Sequence, residues 1–405
     1  MIMPLMGIRV LECAAWHNGP AAGYMLGDLG ADVIKIEEPE RGDATRGVSA
    51  LWGTPMMFQG RVLLSELTNR NKRGITLNLK TQKGKEILYR LVEKADVFIT
   101  NYSKRVIDDL KFDYDTLKHY NQKLIYAINY GYGSKGIWAT KRAFDPIAQA
   151  LSGAMWAAGD RDSHEPTQLM GGYFDQLGAT MLAYGILAAL VVRERQGIGQ
   201  VVETSLLAGA IHQQAMAVTA VLMMERVIAR HSQKRARQPL ANHYRCADNK
   251  WILIAEIQSD RYWKDFCQAI EHPDLEKDER FNDVSKRRAN YAELIRILDD
   301  VFVTKTRDEW VTKFLKESWE FAFAPVYDFA EAAKSEPVLA NEYVVEFDHP
   351  AFGKTKQVNC PVKFSESETG IKHEAPELGQ HTEEVLLEMD FSWDDISQLR
   401  AEGII

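Results

Sequence analysis

The chain has 405 residues, which exceeds what one ordinary hydrophobic core organises and therefore predicts two domains. Hydrophobic residues make up 46% of the chain and charged residues 26%, which is the profile of a soluble globular protein. The formal net charge of -8 disfavours binding to a nucleic-acid backbone, so a polyanionic ligand would need locally basic ground.

Cysteine usage and the N-terminal segment indicate where the protein works. The four cysteines, Cys13, Cys246, Cys267 and Cys360, lie far apart and include no CxxC pair. This spacing argues against a structural zinc site and a disulfide framework, and it favours the reducing cytoplasm. Residues 1–9 lack the pattern of a secretory signal, and no run approaches ~20 uninterrupted apolar residues. We therefore expect neither secretion nor a membrane span.

Strand and helix patterns alternate along the first third of the chain. Residues 7–12 are a predicted strand, Asn18-Gly19-Pro20 a turn, and residues 21–29 a helix that stops at Gly30. The strand predicted next, over residues 31–37, completes a β-turn-α-β unit that indicates a parallel sheet. The alternation continues with predicted strands at 74–79, 96–100 and 124–129 and a helix at 84–93. Together these segments predict a doubly wound, Rossmann-like α/β layer.

Beyond this layer the pattern changes. Residues 145–192 have a helical pattern and are rich in small residues, which lets helices pack closely. Residues 226–237 are strongly basic, as expected of a linker or surface arm. A predicted strand at 251–255, followed by charged and tryptophan-rich helical segments, indicates a second and smaller α+β domain.

The C-terminal part is predicted to return to the first domain. Ala324-Pro325-Val326 opens a third region, which ends with a helix from His381. The expected organisation is a large Rossmann-like domain with a parallel sheet, built from both chain ends, residues 1–225 and 326–405. Residues 226–325 are expected to form a linker and the smaller α+β domain.

The sequence lacks the common nucleotide-binding and hydrolytic motifs. A nicotinamide site after the first strand needs G-x-G-x-x-G, but that turn reads Asn18-Gly19-Pro20, and the proline removes an N–H donor. There is no G-x-x-x-x-G-K-[ST] phosphate loop, no H-E-x-x-H zinc helix and no G-x-S-x-G nucleophile elbow. These absences disfavour a Rossmann dehydrogenase, a P-loop enzyme, a zinc peptidase and an α/β-hydrolase.

Eight groups of residues match, in order, the pattern of one enzyme family. They are residues 7–10, 19–20, 29–37 with Gly42-Asp43 and Arg46, 69–74 with 77–80, 95–98 with 101–102, 143–146 with 149–150 and 152–153, 193–200, and 375–382. Together they resemble the class III CoA-transferases, the family of formyl-CoA transferase and carnitine CoA-transferase. The resemblance implies an enzyme that moves CoA from a donor acyl-CoA to an acceptor carboxylic acid, without a metal or a tightly bound cofactor.

The resemblance places the family's nucleophilic aspartate at Asp175, in Tyr173-Phe174-Asp175-Gln176. From the residues alone, an aspartate at the start of a small-residue helix is also typical of a helix N-cap, and both roles can hold. As the nucleophile, Asp175 would attack the thioester and form an aspartyl-CoA thioester, which divides one hard exchange into easier steps. Gly171-Gly172 are candidates for the N–H donors of an oxyanion hole.

The resemblance also implies that CoA lies across the first β-α turn and the ends of neighbouring strands. The matching positions are His17, Asn18, Leu77, Asn101, Tyr102, Gly131 and Tyr132. Lys104 and Arg105 come just after Asn101, where they would either meet phosphates or form an exposed helix start. The family further implies an interlocked dimer, either a homodimer or a heterodimer with a related subunit.

Three departures from the family pattern keep an alternative open. Asp109 stands where relatives often carry an arginine that holds CoA, and Ala179 replaces a glycine four residues after Asp175. The Gly-rich loop of formyl-CoA transferase has no counterpart near residues 240–262. The missing loop argues against formyl or oxalyl substrates, and the three departures together support a non-catalytic, CoA-binding subunit of a hetero-oligomer as the alternative.

Two further features concern the choice of reaction and of acid. The related α-methylacyl-CoA racemases use a histidine base immediately before the aspartate that here is Asp145, but this chain has Phe144, which cannot take a proton. A racemase or isomerase is therefore disfavoured. Several bulky side chains either pack in the core or select an apolar or aromatic acid: Trp16, Trp52, Met56, Met57, Phe58 and Trp156.

Overall fold

The computed structural model describes residues 2–162 and 164–405, which divide into two compact units. The first unit comprises Met1–Met155, Gln168–Arg226 and Leu339–Ile405, and the second comprises Trp156–Thr167 and Val227–Val338. The boundary after Arg226 lies one residue beyond the predicted boundary after residue 225. The boundary after Val338 lies further along the chain than the predicted boundary after residue 325. The reason is that residues 323–326 form a strand that pairs inside the second unit.

The structure has fifteen strands among the described residues. They are β1 (Arg9–Cys13), β2 (Asp32–Glu37), β3 (Ala50–Leu51), β4 (Thr54–Pro55), β5 (Met57–Phe58), β6 (Arg61–Val62), β7 (Lys72–Thr76), β8 (Val97–Thr100), β9 (Ile125–Tyr130), β10 (Gln200–Ser205), β11 (Ala241–Arg245), β12 (Trp251–Ala255), β13 (Phe323–Val326), β14 (Val344–His349) and β15 (Gly353–Val358). Strands β3 to β6 form two short hairpins between β2 and β7.

The helices fill the connections. They are α1 (Asn18–Asp28), α2 (Leu63–Asn69), α3 (Gln82–Glu93), α4 (Lys104–Leu110), α5 (Tyr114–Lys118), α6 (Asp145–Leu151), α7 (Ala154–Ala158), α8 (Tyr173–Gln196), α9 (Leu206–Gln213), α10 (Ala215–Met224), α11 (Ser259–Ala269), α12 (Val284–Ala289), α13 (Tyr291–Phe302), α14 (Arg307–Lys316), α15 (Phe329–Ala332), α16 (Glu336–Ala340), α17 (Thr382–Leu387) and α18 (Trp393–Ala401). Short 3-10 turns lie at Ala44–Gly47, Gln233–Arg235 and Pro273–Glu276.

The main sheet of the first unit is parallel, which confirms the predicted fold class. Among the described residues it has six strands in the order β10-β9-β8-β1-β2-β7. Val10 of β1 pairs with Val33 of β2 on one side and with Val97 of β8 on the other. From β1, the strands β2 and β7 are added on one side of the sheet, and β8, β9 and β10 are added on the other. The order of the strands therefore reverses between β1 and β8. In open α/β sheets, ligands bind outside the carboxyl ends of the strands at such a switch point.

Both faces of this sheet are covered, which explains the apolar runs in its strands. On one face, α1 and α8 pack through small and branched side chains such as Ala21, Ala179 and Ile186. On the other face, Leu88 of α3 packs in one cluster with Leu386 of α17 and other residues near the C-terminus. The C-terminal segment thus completes the core of the unit that the N-terminal segment begins.

Two local predictions need correction. Asn18-Gly19-Pro20 is the first turn of α1 rather than a separate turn. Proline fits there because the first four N–H groups of a helix have no partner within the helix. The helical pattern over residues 145–192 is broken into α6, α7 and α8, and the chain between α7 and α8 is not helical where it is described.

The second unit has its own core. Strands β11, β12 and β13 form an antiparallel sheet, and aromatic side chains of α11, α13 and α14 pack together, including Phe266, Phe302, Trp310 and Phe314. The predicted strand at residues 251–255 is β12.

One described helix, α8, is long and apolar enough to cross a membrane by length and composition alone. The pair α9 and α10 would pass the same test only as a single span bent by 73°. Core helices pass this test as well, and Ala179, Leu182 and Ile186 of α8 pack against the sheet.

Candidate active site

The turn between β1 and α1 lies at the switch point of the sheet and is tied to the end of β8. The Asn101 side chain, one residue beyond β8, accepts a hydrogen bond from the Ala15 N–H at 3.0 Å and donates to the Ala15 carbonyl at 2.6 Å. It also donates to the Asn18 side chain at 2.8 Å. Two residues predicted to meet CoA, Asn18 and Asn101, are therefore in direct contact.

The start of α8 holds Asp175 in an unusual way. Two glycines with positive φ, Gly171 and Gly172, lead into the helix, and Gly172 is the N-cap residue. Asp175 is the third helical residue, and the N-cap provides no side-chain hydrogen bond. The interpretation of Asp175 as a helix N-cap is therefore wrong, and its carboxylate is left for another role.

Asp145, from the first turn of α6, supplies the missing cap. Its Oδ2 accepts hydrogen bonds from the backbone N–H groups of Phe174 at 2.6 Å and Asp175 at 3.2 Å. Its Oδ1 accepts from the Gln149 side chain, whose amide also donates to the Leu169 carbonyl at 2.9 Å. Asp145 is only 2% exposed. Gln149 therefore holds the chain before Gly171-Gly172, and Asp145 holds it after them.

The surroundings of Asp175 disfavour its charged form. Loss of water contact, and then the neighbouring charge of Asp145, raise the pKa of Asp175 to about 7. A carboxylate with so high a pKa is more basic than an ordinary aspartate, and it is still half ionised near neutral pH. This combination suits a carboxylate nucleophile.

His17, from the β1–α1 turn, lies against the start of α8. Its Nε2 is 3.1 Å from Gln176 Oε1, and Gln176 Nε2 donates to the Tyr24 hydroxyl at 2.6 Å. Burial lowers the pKa of His17 below its usual range, so the ring is neutral at pH 7. Since Gln176 offers an oxygen, Nε2 carries the proton and Nδ1 is bare. A Cβ at Gly172 would lie 3.2 Å from that Nδ1, so this glycine permits the close approach.

The other predicted CoA positions also follow strand ends of the same sheet. Leu77, beyond β7, is buried, and its N–H donates to the Glu37 carbonyl at 2.8 Å. Tyr102 packs near Phe112 with ring centroids 6.2 Å apart. Gly131 and Tyr132 follow β9, and the Tyr132 hydroxyl donates to the Arg142 carbonyl at 2.9 Å.

The basic residues predicted to meet phosphates start α4 and are strongly exposed. Lys104 pairs with Asp108 at 2.9 Å, and Arg105 pairs with Asp109 at 3.5 Å, one helical turn further on. Asp109 is thus neutralised by Arg105 in this arrangement. Exposed pairs of this kind contribute little stability, so both cations can exchange an aspartate for a phosphate.

An aromatic pair flanks the start of α8. The rings of Trp16 and Phe144 meet edge to face with centroids 5.6 Å apart, and the residues are 39% and 50% exposed. Trp16 precedes His17, and Phe144 precedes Asp145. Trp52, Met57, Phe58 and Trp156 are exposed as well, and Trp156 stacks with Arg230 in the second unit.

Sequence reasoning missed several residues of this site. The capping role of Asp145 joins residues 30 apart, and Gln149 and Gln176 act only through folded contacts. One signal was present, because Asp145-Pro146 is a typical helix start that leaves the aspartate free to point elsewhere. Among residues 2–162 and 164–405, no three or more His, Cys, Asp or Glu side chains are grouped to hold a metal ion.

A parallel sheet with this strand order, and with an aspartate of raised pKa near its switch point, is typical of α/β enzymes that bind a ligand there. The chain matches the model of CoA-transferase family III over residues 5–382, and it belongs to that family. The predicted family and the predicted enzyme class are thereby confirmed. CoA thioesters are the substrates of such transferases.

Curated relatives match the whole chain. It is 30% identical over 406 residues to the (R)-2-hydroxy-4-methylpentanoate CoA-transferase of Clostridioides difficile, with 100% of both chains covered. It is 30% identical to the cinnamoyl-CoA:phenyllactate CoA-transferase of Clostridium sporogenes, with 98% of this chain and 96% of the relative covered. A solved CAIB/BAIF family protein from Brucella suis has a TM-score of 0.84 at 29% identity, covering 96% of this chain and 100% of the other.

Proposed function

We propose that the protein transfers CoA between carboxylic acids through an aspartyl-CoA thioester at Asp175. The Asp175 carboxylate attacks the donor thioester, and CoA leaves as its thiolate, which gives a mixed anhydride. The thiolate then attacks the Asp175 carbonyl carbon, and the donor leaves as a free carboxylate that carries one Asp175 oxygen. The acceptor carboxylate reverses these steps. No ATP is needed, because one thioester replaces another.

The observation that carries this proposal is the contact between the two chain segments that the reaction must join. His17 of the β1–α1 turn, where CoA is expected, lies against Gly172 and Gln176 at the start of the helix that bears Asp175. The pKa of Asp175, raised to about 7 by burial and by Asp145, supports a reactive carboxylate.

The oxyanion of this reaction needs hydrogen-bond donors. The N–H groups of Phe174 and Asp175 already donate to Asp145, and neutral His17 with a bare Nδ1 offers no proton on that side. We therefore assign the role to backbone N–H groups of Gly171 and Gly172, whose positive φ angles turn the chain sharply before α8.

The experiment is intact-protein mass spectrometry after incubation with cinnamoyl-CoA or succinyl-CoA. We expect a CoA adduct that hydroxylamine removes, absent in Asp175→Ala and retained in Asp109→Ala, whose exposed carboxylate only pairs with Arg105. A protein that binds CoA by calorimetry but forms no adduct with either thioester would instead be a non-catalytic subunit. Exchange of an α-proton in deuterated water, without any adduct, would support a racemase.

For the acceptor, we propose an acid with an apolar or aromatic group, held by the exposed Trp16–Phe144 pair beside the start of α8. Two relatives act on 2-hydroxy-4-methylpentanoate and on phenyllactate, which have such groups. Phe144→Ala should lower kcat/KM for phenyllactate by about tenfold, because the contact between the ring of the acid and that of Phe144 is lost. The value for acetate should change little. Equal losses for both acids would contradict the proposal.

We also propose an interlocked dimer, supported by the apolar surface of α10. No described residue of this helix is buried, and Met216, Leu222 and Met223 are 88%, 74% and 81% exposed. Such a surface calls for a partner. Light scattering after gel filtration should show a dimer, and Leu222→Asp should weaken it. Ile137→Asp, equally apolar and exposed elsewhere, is the control. A monomer at micromolar concentration would point to a related subunit as the partner.

The cytoplasm remains our proposal for the location of the protein, supported by four free and buried cysteines among the described residues. Fractionation of the producing cells with an antibody would test it, and recovery outside the cytoplasmic fraction would overturn it.

A further inference from the structure

Four charged side chains lie fully buried beneath the β1–α1 turn and form one network. Lys35 Nζ donates to Glu12 Oε1 at 3.0 Å and to Asp43 Oδ2 at 2.9 Å. Lys72 Nζ donates to the other Glu12 oxygen at 2.6 Å. Each side chain is at most 1% exposed. Two carboxylates and two ammonium groups balance, so the network as a whole is neutral.

The network ends on the backbone of the turn. The third contact of Lys35 Nζ is the Ala14 carbonyl, at 3.0 Å. The second oxygen of Asp43 accepts a hydrogen bond from the Trp16 N–H at 3.1 Å. Lys72 Nζ also donates to the Pro20 carbonyl, at 2.8 Å. The start of the β1–α1 turn, its middle and the first turn of α1 are each held by a different charged group.

The remaining polar groups near the middle of the turn are held from β8. The Asn101 side chain, one residue beyond β8, forms hydrogen bonds with both the N–H and the carbonyl of Ala15. Trp16, between these fixed points, has a φ of 69°, in the left-handed region that large side chains rarely adopt. Such a conformation persists only where the surroundings determine it, and it is concentrated at functional sites.

Stability alone does not explain the network. Replacing a buried set of ion pairs by apolar side chains of similar volume is often neutral or stabilising, so the charges need another reason to be there. Their contacts supply one, because charged groups form the strongest hydrogen bonds to backbone groups and fix them in place.

We infer that Glu12, Lys35, Asp43 and Lys72 are positioning residues, which hold the β1–α1 turn so that Trp16 and His17 face the start of α8. Through Trp16 the network sets the preference for the acyl group, although none of its four members reaches the substrate. This inference rests on the proposed function, and it names what determines the specificity of that site.

The test compares Asp43→Asn with Asp96→Asn. Asp96 is a matched control because its carboxylate also accepts from a backbone N–H, that of Arg9 at 2.6 Å, and pairs with Arg193 at 2.7 Å. It immediately precedes β8, at the amino ends of the parallel strands, whereas the β1–α1 turn lies at their carboxyl ends. The first readout is the ratio of kcat/KM for cinnamoyl-CoA to that for acetyl-CoA. If Asp43→Asn does not fold, a second variant, Glu12→Gln with Lys72→Met, takes its place. It removes one charge of each sign, so no buried charge is left unpaired.

We expect Asp43→Asn, or the double variant, to change this ratio by at least about tenfold, since a misplacement of about 1 Å in an active site can cost a hundredfold in rate. Asp96→Asn should leave the ratio unchanged. A purely structural role would lower both values together, and an unchanged ratio in a folded variant would overturn the inference.

A readout without activity separates this inference from the proposed function. In protein labelled with 5-fluorotryptophan, the Trp16 resonance is identified by its loss in Trp16→Phe. We expect it to shift or broaden in Asp43→Asn and to stay in place in Asp96→Asn. If the wild type forms no adduct, the proposed function fails, and this resonance alone decides the inference: an unmoved Trp16 signal overturns it.

Discussion

The Asp145 carboxylate caps helix α8, in whose first turn Asp175 lies, and its Oδ2 is 3.2 Å from the backbone nitrogen of Asp175. One carboxylate therefore holds the position of the other, and it adds to the effect of burial, which is larger, in raising the pKa of the Asp175 side chain. Positioning and activation come from the same residue. Family membership fixes the reaction class, and in the proposed mechanism this relationship prepares the Asp175 carboxylate for attack.

Asp145→Asn should separate these two effects. The amide keeps an oxygen to accept the two N–H groups but removes the negative charge, so the pKa of Asp175 should fall from about 7 towards its usual range. The acid limb of the pH profile for adduct formation should move to lower pH. The rate at high pH should drop by about tenfold or less, because a less basic carboxylate is a weaker nucleophile. A limb that stays in place would show that burial alone raises this pKa.

The wild-type rate should itself depend on Asp175. Because its carboxylate is the reacting form, kcat/KM should rise between about pH 6 and pH 8, with an apparent pKa of about 7. A stopped-flow or quenched-flow profile of CoA release measures this dependence. A flat profile from pH 5 to pH 9 would contradict the assignment.

The stability of the folded protein should also depend on the ionisation of Asp175, but it should fall with rising pH, whereas the rate rises. A folded-state pKa above the unfolded value of 3.8 means that the folded protein binds more protons, so stability from Asp175 is lost as pH rises through about 7. Asp175→Asn does not titrate, so it should be more stable than the wild type at pH 8, by a few kcal/mol at about 1.4 kcal/mol for each unit by which the pKa is raised. The difference should shrink at pH 5. Thermal unfolding at both pH values tests this, and a constant difference would argue against a raised pKa.

Gly172→Ala should damage the site more than the backbone strain alone predicts. Gly172 has a φ of 67°, and an added Cβ would lie 3.2 Å from the His17 ring. Gly197, at the other end of α8, has a φ of 72° with nothing within 4 Å of that position. Both alanine variants should lose about 1–2 kcal/mol of stability from the left-handed conformation. Only Gly172→Ala should also slow adduct formation, by about tenfold or more, and equal rates in the two variants would show that the His17 contact is dispensable.

The sequence predicts the layout of the first unit well, because strands buried on both faces are short apolar runs and helices between them have their own period. It also places Asn18 and Asn101 beyond strand ends, which parallel pairing then brings together. What it misses depends on contacts between distant residues. Asp175 resembles a cap by local pattern, but the cap is Asp145, and no local rule identifies Gln176 as the partner of His17. The strand at residues 323–326 is hidden by Pro325, which lies in β13.

The most direct test of the central claim is to locate the covalent adduct. Wild-type protein is mixed with cinnamoyl-CoA, quenched in acid and digested, and the peptide that carries CoA is sequenced by tandem mass spectrometry. We predict that CoA is attached as a thioester to the side chain of Asp175 and that the adduct disappears when phenyllactate is added. An adduct on another residue, or turnover between these acids with no adduct on the Asp175 peptide, would contradict the proposed mechanism.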